Sequence, residues 1–335
     1  SSRVGNEQMF PRILRDLANP GRAAGRRACP RYTIHALTSS TVFEDGDDFT
    51  NIDPRKFLIR AEEYGIPQAR HRVILVGIRR GSELTSPDRL QPVFEPLDAS
   101  VALGSMPPLR SGITRRTLTA DEWRTEILRT LKVAASNGLE KGVMQRMRAA
   151  FDMDLYTQLN LTQGGRFVPV SRIKTGRSNA EKGFLSKVVN KQCAGYLNHQ
   201  ARNHMPMDLV RYLYAATMAV DTCVSPKACD YPDALAPNHR NWKTGKFADR
   251  FRVQVSGRPA TTVTSHISKD GHYFIHPDPV QCRSLTVREA ARLQTFPDDY
   301  FFEGNRTEQF VQTGNAVPPI LAERIAQTIW DSFGN

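Results

Sequence analysis

The feature that most constrains the fold is a short apolar run, Val73–Ile78, that follows a polar block. The run is β-branched and aliphatic except for Gly77, with Pro67 before it and Arg79-Arg80-Gly81 after it. Such a run between turn signals is typical of a strand that is buried on both faces inside an α/β sheet. The sequence therefore predicts an α/β protein with this strand in its sheet.

Three polar residues alternate immediately before this run, at Gln68, Arg70 and Arg72. Because successive side chains of an extended chain point to opposite faces, these three are predicted to lie on one face. A fixed row of cationic and amide donors suits phosphates or the carbonyl oxygen of a pyrimidine. By spacing alone, a surface arginine pair that caps the strand is the more frequent arrangement.

Both ends of the chain predict regular elements. Apolar residues at helical spacing predict a helix over Glu7–Asn19, and Tyr32–Leu37 can form a strand. Near the other end, Thr286 and Glu289 have the spacing of a capping box, which predicts a helix start. A final amphipathic helix is predicted to begin at Pro318-Pro319.

From about Pro96 the character of the chain changes. Helix-like segments at Asp121–Ala134 and Asp208–Val220 alternate with Gly-, Asn- and Lys-rich stretches. We place domain boundaries near Pro96 and Gly257, which divides the chain into residues 1–96, 97–256 and 257–335.

The positive charge is concentrated in the middle of the chain. The net charge is +12, and the segment Asp98–Val255 contains 24 Lys and Arg against 13 Asp and Glu. A charge confined to one segment can form a surface that faces phosphates and releases counterions on binding. A solvated basic face is an equally good interpretation of charge alone.

Composition also limits the compartment and excludes some sites. No apolar run is long enough to cross a bilayer, and the start lacks a signal peptide and an initiator Met, which suggests that the chain comes from a longer reading frame. Five scattered cysteines indicate reduced thiols in a cytosolic setting. The spacing of Cys223, Cys229 and His239 fits no familiar zinc pattern, so no metal site is expected.

Three long blocks resemble the cytosine-5 DNA methyltransferases, and they occur in that family's order. Gly65–Arg72 with the apolar run resembles the family's Gln-x-Arg-x-Arg block. Arg283–Asp298 resembles the block after the target-recognition region, and Gln312–Pro319 resembles the last block. The opening, Ser1–Pro20, is similar to the stretch that follows the family's Glu-Asn-Val block.

The resemblance implies roles for the first block. In this family a cytosine is swung out of double-stranded DNA and attacked by a cysteine thiolate, and S-adenosylmethionine donates the methyl group. By resemblance, Arg70 and Arg72 lie at the active site, with Arg72 at the cytosine carbonyl oxygen. Arg70 and Gln68 either support Arg72 or touch the DNA backbone.

The other blocks are given roles in the same way. The turn Gly314, Asn315, Ala316 and Val317 resembles the segment that closes the S-adenosylmethionine site, although a turn before a helix start is the alternative. In the block after the recognition region, we expect three arginines to serve the fold, namely Arg283, Arg288 and Arg292. Glu289 lies close enough in sequence to pair with Arg292.

By resemblance, the middle segment is the target-recognition domain. Its Gly-rich stretches carry side chains of the types that read base edges and phosphates, namely Arg166, Arg172, Lys174 and Arg177. The polar stretch Asn198–His204 precedes a helix and is either a DNA contact or a hydrogen-bonded helix entry.

Several family blocks are missing from this sequence. None of the five cysteines stands in a Pro-Cys-Gln context, and there is no Phe-x-Gly-x-Gly or Glu-Asn-Val. We therefore expect this chain alone to be inactive and to need an N-terminal half on the same or a companion polypeptide.

The expected fold is α/β, the C-terminal part of a Rossmann-like S-adenosylmethionine-dependent methyltransferase domain with a small irregular recognition domain. The expected function is sequence-specific cytosine-5 methylation of DNA in the bacterial cytoplasm, in a restriction–modification setting. The alternatives are a non-catalytic specificity subunit and, less favoured, an RNA-binding relative.

Overall fold

The protein is described from a computed structural model. The structure describes residues 3–333 except 5–6, 27–28, 49–51, 85, 152–160, 171–175, 191, 240–241 and 243–249. The predicted DNA contacts Arg172 and Lys174 lie outside the described residues.

Helices and short strands alternate along the chain, and the expected α/β class is confirmed. The helices are α1 Met9–Ala18, α2 Pro20–Ala23, α3 Ala99–Leu103, α4 Ala120–Ser136, α5 Lys141–Phe151, α6 Asn179–Val188, α7 Pro206–Thr222, α8 Val287–Leu293, α9 Arg306–Asn315 and α10 Pro319–Trp330. The strands are β1 Arg3–Val4, β2 Glu7–Gln8, β3 Tyr32–Ala36, β4 Val42–Phe43, β5 Leu58–Arg60, β6 Gln68–Ala69, β7 His71–Val73, β8 Leu75–Arg79, β9 Gly112–Ile113, β10 Gly164–Pro169, β11 Gly195–Gln200, β12 Asn203–His204 and β13 Ala260–Thr261.

The chain forms two compact units. The first contains residues 1–65, 69–94 and 319–335, and the second contains residues 66–68 and 95–318. These units are defined by packing, so the expected division into residues 1–96, 97–256 and 257–335 stays a prediction about function.

The first unit is built on a three-stranded antiparallel sheet in the order β4–β3–β8. The helix α1 lies within the predicted range, and its Leu14 and Ala18 pack with Ile34 and Phe43 of the sheet in an apolar cluster. The predicted strand at Tyr32–Leu37 is observed as β3, and the predicted final helix is observed as α10.

The expectation that Val73–Ile78 is buried on both faces is wrong. The strand β8 begins at Leu75, all of its residues are partly or fully exposed, and Val73 is 45% exposed. Within the described part of the sheet, β8 pairs only with β3 and so is an edge strand. An apolar composition therefore did not identify the strand's position in the sheet.

A short ribbon in the same unit carries Arg72, the last residue of the polar block. The strands β5 and β7 pair antiparallel, with Ile59 opposite Arg72 and Arg60 opposite His71. Directly opposite residues share a face and neighbours alternate, so Arg72 and Arg60 lie on opposite faces of this ribbon.

The second unit is mainly helical and packs around α7. The helix α4 buries Trp123, Ile127 and Leu131 at spacings of four residues, and this face packs against α7. Both α4 and α7 extend the predicted segments by a few residues. Beside them, β10 and β11 form an antiparallel pair with Gly164 opposite Gln200.

Gly314, in the last turn of α9, is required for close packing within the second unit. A Cβ atom at this position would lie 2.3 Å from the backbone N of Ser265 and the backbone C of Thr264. Real Cβ atoms do not approach backbone so closely, so a side chain would force α9 away from this segment.

We predict that Gly314→Ala destabilises the protein by about 1–3 kcal/mol through overpacking. The matched control is Gly183→Ala in α6, where a Cβ would meet nothing within 4 Å. This control should be neutral or stabilising by up to about 1 kcal/mol, because alanine favours the helix. Calorimetric unfolding of both variants is the measurement, and equal melting temperatures would contradict the packing argument.

Candidate functional site

The first residue of the polar block, Gln68, is fully buried in the second unit. Its side-chain oxygen accepts a hydrogen bond from the Val263 N–H at 2.7 Å, and its amide nitrogen donates to the Leu293 carbonyl at 3.1 Å and to Gln294 Oε1 at 3.3 Å. These bonds leave Gln68 no exposed atom for DNA. Of the two alternatives, the structure favours support over contact with the DNA backbone.

The two arginines of the block lie in the first unit and differ in exposure. Arg70 is 6% exposed, whereas Arg72 is exposed. Burial, with the nearby charge of Arg72, lowers the pKa of Arg70 to about 10, so the guanidinium of Arg70 stays charged at neutral pH. Of the three side chains that were predicted to form a row of donors on one face, Gln68 and Arg70 are buried and Arg72 is exposed, so the row that can reach a ligand is reduced to Arg72.

The guanidinium of Arg72 has donors to spare. Its Nη1 donates to the carbonyl of His71 at 2.7 Å. Among the described residues this is the hydrogen bond that the group forms, and a guanidinium has five N–H donors. The exposed group can therefore bind a carbonyl oxygen or a phosphate.

The residues of the turn that was expected to close the cofactor site also differ from one another in exposure. Gly314 is buried and makes its close approach to the protein's own backbone. Asn315 is exposed, Ala316 is partly buried and Val317 is 56% exposed. The side-chain amide of Asn315 has no hydrogen-bond partner among the described residues, which leaves its donor and acceptor for a ligand.

Two buried amides connect these motif blocks within the second unit. Gln68 donates to the side-chain oxygen of Gln294 at 3.3 Å, and Gln294 Nε2 donates to the carbonyl of Thr313 at 2.9 Å. Gln294 belongs to the block after the recognition region and Thr313 to the last block. The three blocks, which are far apart in sequence, are thus linked by consecutive hydrogen bonds.

The two predicted DNA contacts of the middle segment that the structure describes, Arg166 and Arg177, are exposed. Arg166 on β10 lies over the ring of Phe301 at 4.6 Å, and Arg177 precedes α6 with its backbone N–H bonded to Glu181 at 2.6 Å. Arg166 also lines a cavity of about 500 Å³ together with Gln200 and other polar residues.

Sequence reasoning missed one basic residue of this cavity, Arg306. Its guanidinium donates to Gln200 Oε1 at 3.1 Å, and burial lowers the pKa of the group. No sequence signal singled out Arg306, which stands at the start of α9, whereas Gln200 lay within the unassigned polar stretch.

The described residues contain neither a metal-binding cluster nor a membrane-spanning helix. Within the described ranges, no cluster of three or more His, Cys, Asp or Glu side chains has the arrangement of a metal site. The described helices likewise include none that combines the length and hydropathy needed to cross a bilayer.

Comparison with known proteins identifies the family. The family model of the C-5 cytosine-specific DNA methylases matches residues 55–331. This chain belongs to that family.

Similar proteins include named bacterial methyltransferases. The type II methyltransferase M.Bpa9945I of Bacillus paralicheniformis is 45% identical over 147 residues, which are 43% of this chain and 32% of that protein. The type II methyltransferase M.AquIB of Picosynechococcus is 42% identical over 98 residues, 26% of this chain and 67% of that protein. The rat DNA (cytosine-5)-methyltransferase 1 is 28% identical over 319 residues, 81% of this chain and 18% of that protein. The chain thus spans about a third of the length of M.Bpa9945I.

In this chain, the helix α8 carries buried charges that serve the fold, as expected. Arg283 and Glu289 form two contacts of 2.6 Å between their side chains, and Thr286 and Glu289 complete the predicted capping box. The expected pair between Glu289 and Arg292 is wrong. The capping box turns Glu289 back toward the helix start, and Arg292 pairs with Asp298 instead.

Much of the polar stretch Asn198–His204 is hydrogen-bonded inside the protein, which favours a helix entry over a DNA contact for the buried residues, whereas Gln200 and Asn203 are exposed. Asn198 accepts from the Phe302 N–H at 3.0 Å and donates to the Phe302 carbonyl at 3.2 Å. His199 is buried between Thr286 Oγ1 at 2.9 Å and the Pro107 carbonyl at 3.2 Å. Burial lowers the pKa of His199 from 6.5 to about 4, so the ring is neutral in the folded protein.

This buried histidine makes the methylase chain sensitive to acid. Between about pH 6.5 and 4, His199 takes up a proton when the chain unfolds but not while it is folded, so the free energy of unfolding decreases as the pH falls through this window. His204 and His276, whose pKa values burial lowers to about 3 and about 4, act in the same direction.

We predict that His199→Gln reduces the pH dependence of stability between pH 6.5 and 4 by up to about 1.4 kcal/mol per pH unit. Denaturant unfolding at several pH values measures this slope. His266→Gln, at an exposed position of the same unit, is the control and should keep the wild-type slope. A variant of His199 with an unchanged slope would show that the ring is already protonated when folded.

Proposed function

We propose that this chain is the C-terminal, DNA-reading part of an S-adenosylmethionine-dependent DNA (cytosine-5)-methyltransferase with a specific target sequence. The observation that carries the proposal is the exposed Arg72, with unused donors, inside a family match that spans residues 55–331. The relatives named type II methyltransferases favour a bacterial restriction–modification setting and a cytoplasmic location with the DNA.

Arg72 is proposed to contact the carbonyl oxygen of the extruded cytosine. Attack of a thiolate on the ring moves negative charge toward this oxygen, and a fixed guanidinium stabilises that charge. Arg70 is mostly buried beside Arg72, and we assign it a positioning role at the active site. Gln68 supports the same block from inside the second unit.

The residues of the last block fit part of an S-adenosylmethionine site. Bound S-adenosylmethionine supplies the methyl group. The free amide of Asn315 and the exposed side chain of Val317 are proposed to contact this cofactor, and Ala316 lies between them in sequence. Gly314 contributes by holding α9 against Thr264 and Ser265.

The basic middle of the chain is proposed to bind double-stranded DNA. Arg166 and Arg177 are exposed in the structure, and Arg172 and Lys174 belong to the same segment of sequence. Residues 97–256 would be the target-recognition domain, between catalytic-domain segments at residues 1–96 and 257–335. Guanidinium and ammonium groups on such a surface neutralise phosphates and read guanine edges.

The attacking thiol is proposed to come from an N-terminal half on the same or a companion polypeptide. None of the five cysteines stands in Pro-Cys-Gln. Cys282 is fully buried, and burial raises its pKa, which disfavours the thiolate. The alternative is a specificity subunit that binds DNA without completing an active site.

We predict that the chain transfers tritiated methyl groups to duplex DNA when it is mixed with a polypeptide that carries the Pro-Cys-Gln and Glu-Asn-Val blocks. In this mixture, Arg72→Gln should lower kcat by about 10²–10³-fold, because the charge stabilisation by the guanidinium is lost. Arg79→Gln, an exposed arginine of the neighbouring strand β8, is the control with near wild-type activity. Tight DNA binding without methyl transfer in the wild-type mixture would favour the specificity subunit, and binding to RNA duplexes alone would favour the RNA-binding relative.

We predict that Asn315→Ala in the same mixture raises the Kd for S-adenosylmethionine by about 10-fold, the effect of losing one or two hydrogen bonds to a ligand. Because the side chain is exposed, the melting temperature of the chain should change little. Equilibrium dialysis with labelled cofactor measures the Kd, and an unchanged value would remove Asn315 from the cofactor site.

A further inference from the structure

A second basic site lies in the first unit, away from the residues assigned so far. A cavity of about 570 Å³ is lined by residues that include Arg55, Lys56, Arg60, Tyr64 and Arg89, and we refer to it as the basic cavity. No residue of the proposed reaction or cofactor site lines it.

The basic cavity is separated from the proposed cytosine contact by the β5–β7 ribbon. Arg60 lines the cavity, and it lies directly opposite His71 in the ribbon. Arg72 lies opposite Ile59 and therefore points to the other face. A ligand in the basic cavity would be distinct from the extruded base.

The charge of the basic cavity is only partly balanced. Arg55 is paired with Asp53 at 3.0 Å, and Arg60 lies 3.6 Å from Glu63. Lys56 and Arg89 form no salt bridge with any residue that the structure describes. Lys56 is close enough to Asp53 for an electrostatic interaction, but neither Lys56 nor Arg89 contacts a carboxylate directly in the described part of the chain. Such cationic groups beside a cavity favour an anionic ligand.

Tyr64 gives a second, independent indication. It lies in the wall of the basic cavity and is 3% exposed, yet its hydroxyl has no hydrogen-bond partner in the described part of the chain. The hydroxyl is the part of Tyr64 that stays accessible, and its unused donor is available to a ligand in the cavity. Burial, with the nearby charge of Glu63, raises the pKa of this hydroxyl, so it remains a donor at neutral pH.

We propose that the basic cavity binds a phosphate group, held by Lys56, Arg89 and the hydroxyl of Tyr64. Guanidinium, ammonium and hydroxyl donors form short charge-assisted hydrogen bonds to phosphate oxygens. The volume of about 570 Å³ is sufficient for one or two linked phosphates. The phosphate belongs either to the backbone of the DNA substrate, which depends on the proposed function, or to a small phosphate-bearing molecule, which does not.

The first experiment uses inorganic pyrophosphate and the 335-residue chain, with calorimetric titration. We expect saturable binding that weakens by about 10-fold or more in the double variant Lys56→Gln/Arg89→Gln and by about 10-fold in Tyr64→Phe, which keeps the ring and removes the hydroxyl. The matched control Arg22→Gln/Arg79→Gln makes the same charge change at exposed positions outside the cavity and should bind as the wild type does.

The absence of saturable binding to the wild-type chain, or an equal loss in the control variant, would overturn the proposal. If Tyr64→Phe does not fold, as judged by circular dichroism, the exposed double variant decides the result alone. This experiment needs neither methyl transfer nor a companion polypeptide, so its failure is distinct from a failure of the proposed function.

The second experiment identifies the source of the phosphate. Binding of labelled duplex DNA is measured by fluorescence anisotropy at several salt concentrations, because each phosphate contact adds about 0.9 to the slope of log K against log salt. A slope reduced by about 1–2 in Lys56→Gln/Arg89→Gln assigns the cavity to the DNA backbone. An unchanged slope, with pyrophosphate binding lost, assigns it to a small phosphate-bearing molecule.

Discussion

The second unit depends on a buried ion pair at the start of α8. Every residue from Val287 to Leu293 is buried, and the helix starts with Glu289 bonded to Arg283, itself 1% exposed. The charge of Arg283 holds the pKa of Glu289 well below its usual range despite complete burial. Removal of one partner from such a pair leaves an uncompensated buried charge, which typically costs about 3–5 kcal/mol.

The other buried arginines of α8 satisfy their donors differently. Arg292 pairs with Asp298, whereas Arg288 donates to the carbonyls of Leu197 at 2.7 Å and Pro297 at 2.6 Å, and also to that of Tyr300. Each bond fastens a separate stretch of backbone to one short helix. A helix of seven residues can therefore fix the β11 strand and the loop that follows α8.

The sequence predicted local features better than it predicted partners. The capping box at Thr286, the spans of α4 and α7 and the strand β3 could be read because they depend on neighbours a few residues apart. The partner of Glu289 could not, because six residues of spacing to Arg283 carry no helical signal. Edge strands and central strands can share an apolar composition, which is why the burial of Val73–Ile78 was wrong.

The same limit applied to the site. The order of the motifs predicted that Gln68, Arg72 and the Gly314 turn belong to one site. The structure shows that Gln68 and Gly314 are buried, whereas Arg72 and Asn315 are exposed. Gln68 contacts backbone 195 and 225 residues away in sequence, at Val263 and Leu293, and no local pattern could have predicted those contacts. An exposed Arg72 and a buried Gln68 look equivalent in an alternating sequence, and only the fold distinguishes them.

The difference in exposure between these residues has a physical reason. A group that must bind a ligand needs unused donors at a surface, as Arg72 and Asn315 have, and such a group is mobile unless its backbone is fixed from behind. The buried hydrogen bonds that link Gln68, Gln294 and Thr313 fix the backbone of the last block within the second unit, since they end two residues before Asn315. Because these hydrogen bonds are buried, the loss of the side-chain amide of Gln68 or Gln294 leaves an unpaired polar group inside the protein. Positioning of the last block and stability of the second unit are therefore coupled, whereas the exposed side chain of Asn315 can be replaced without loss of the fold.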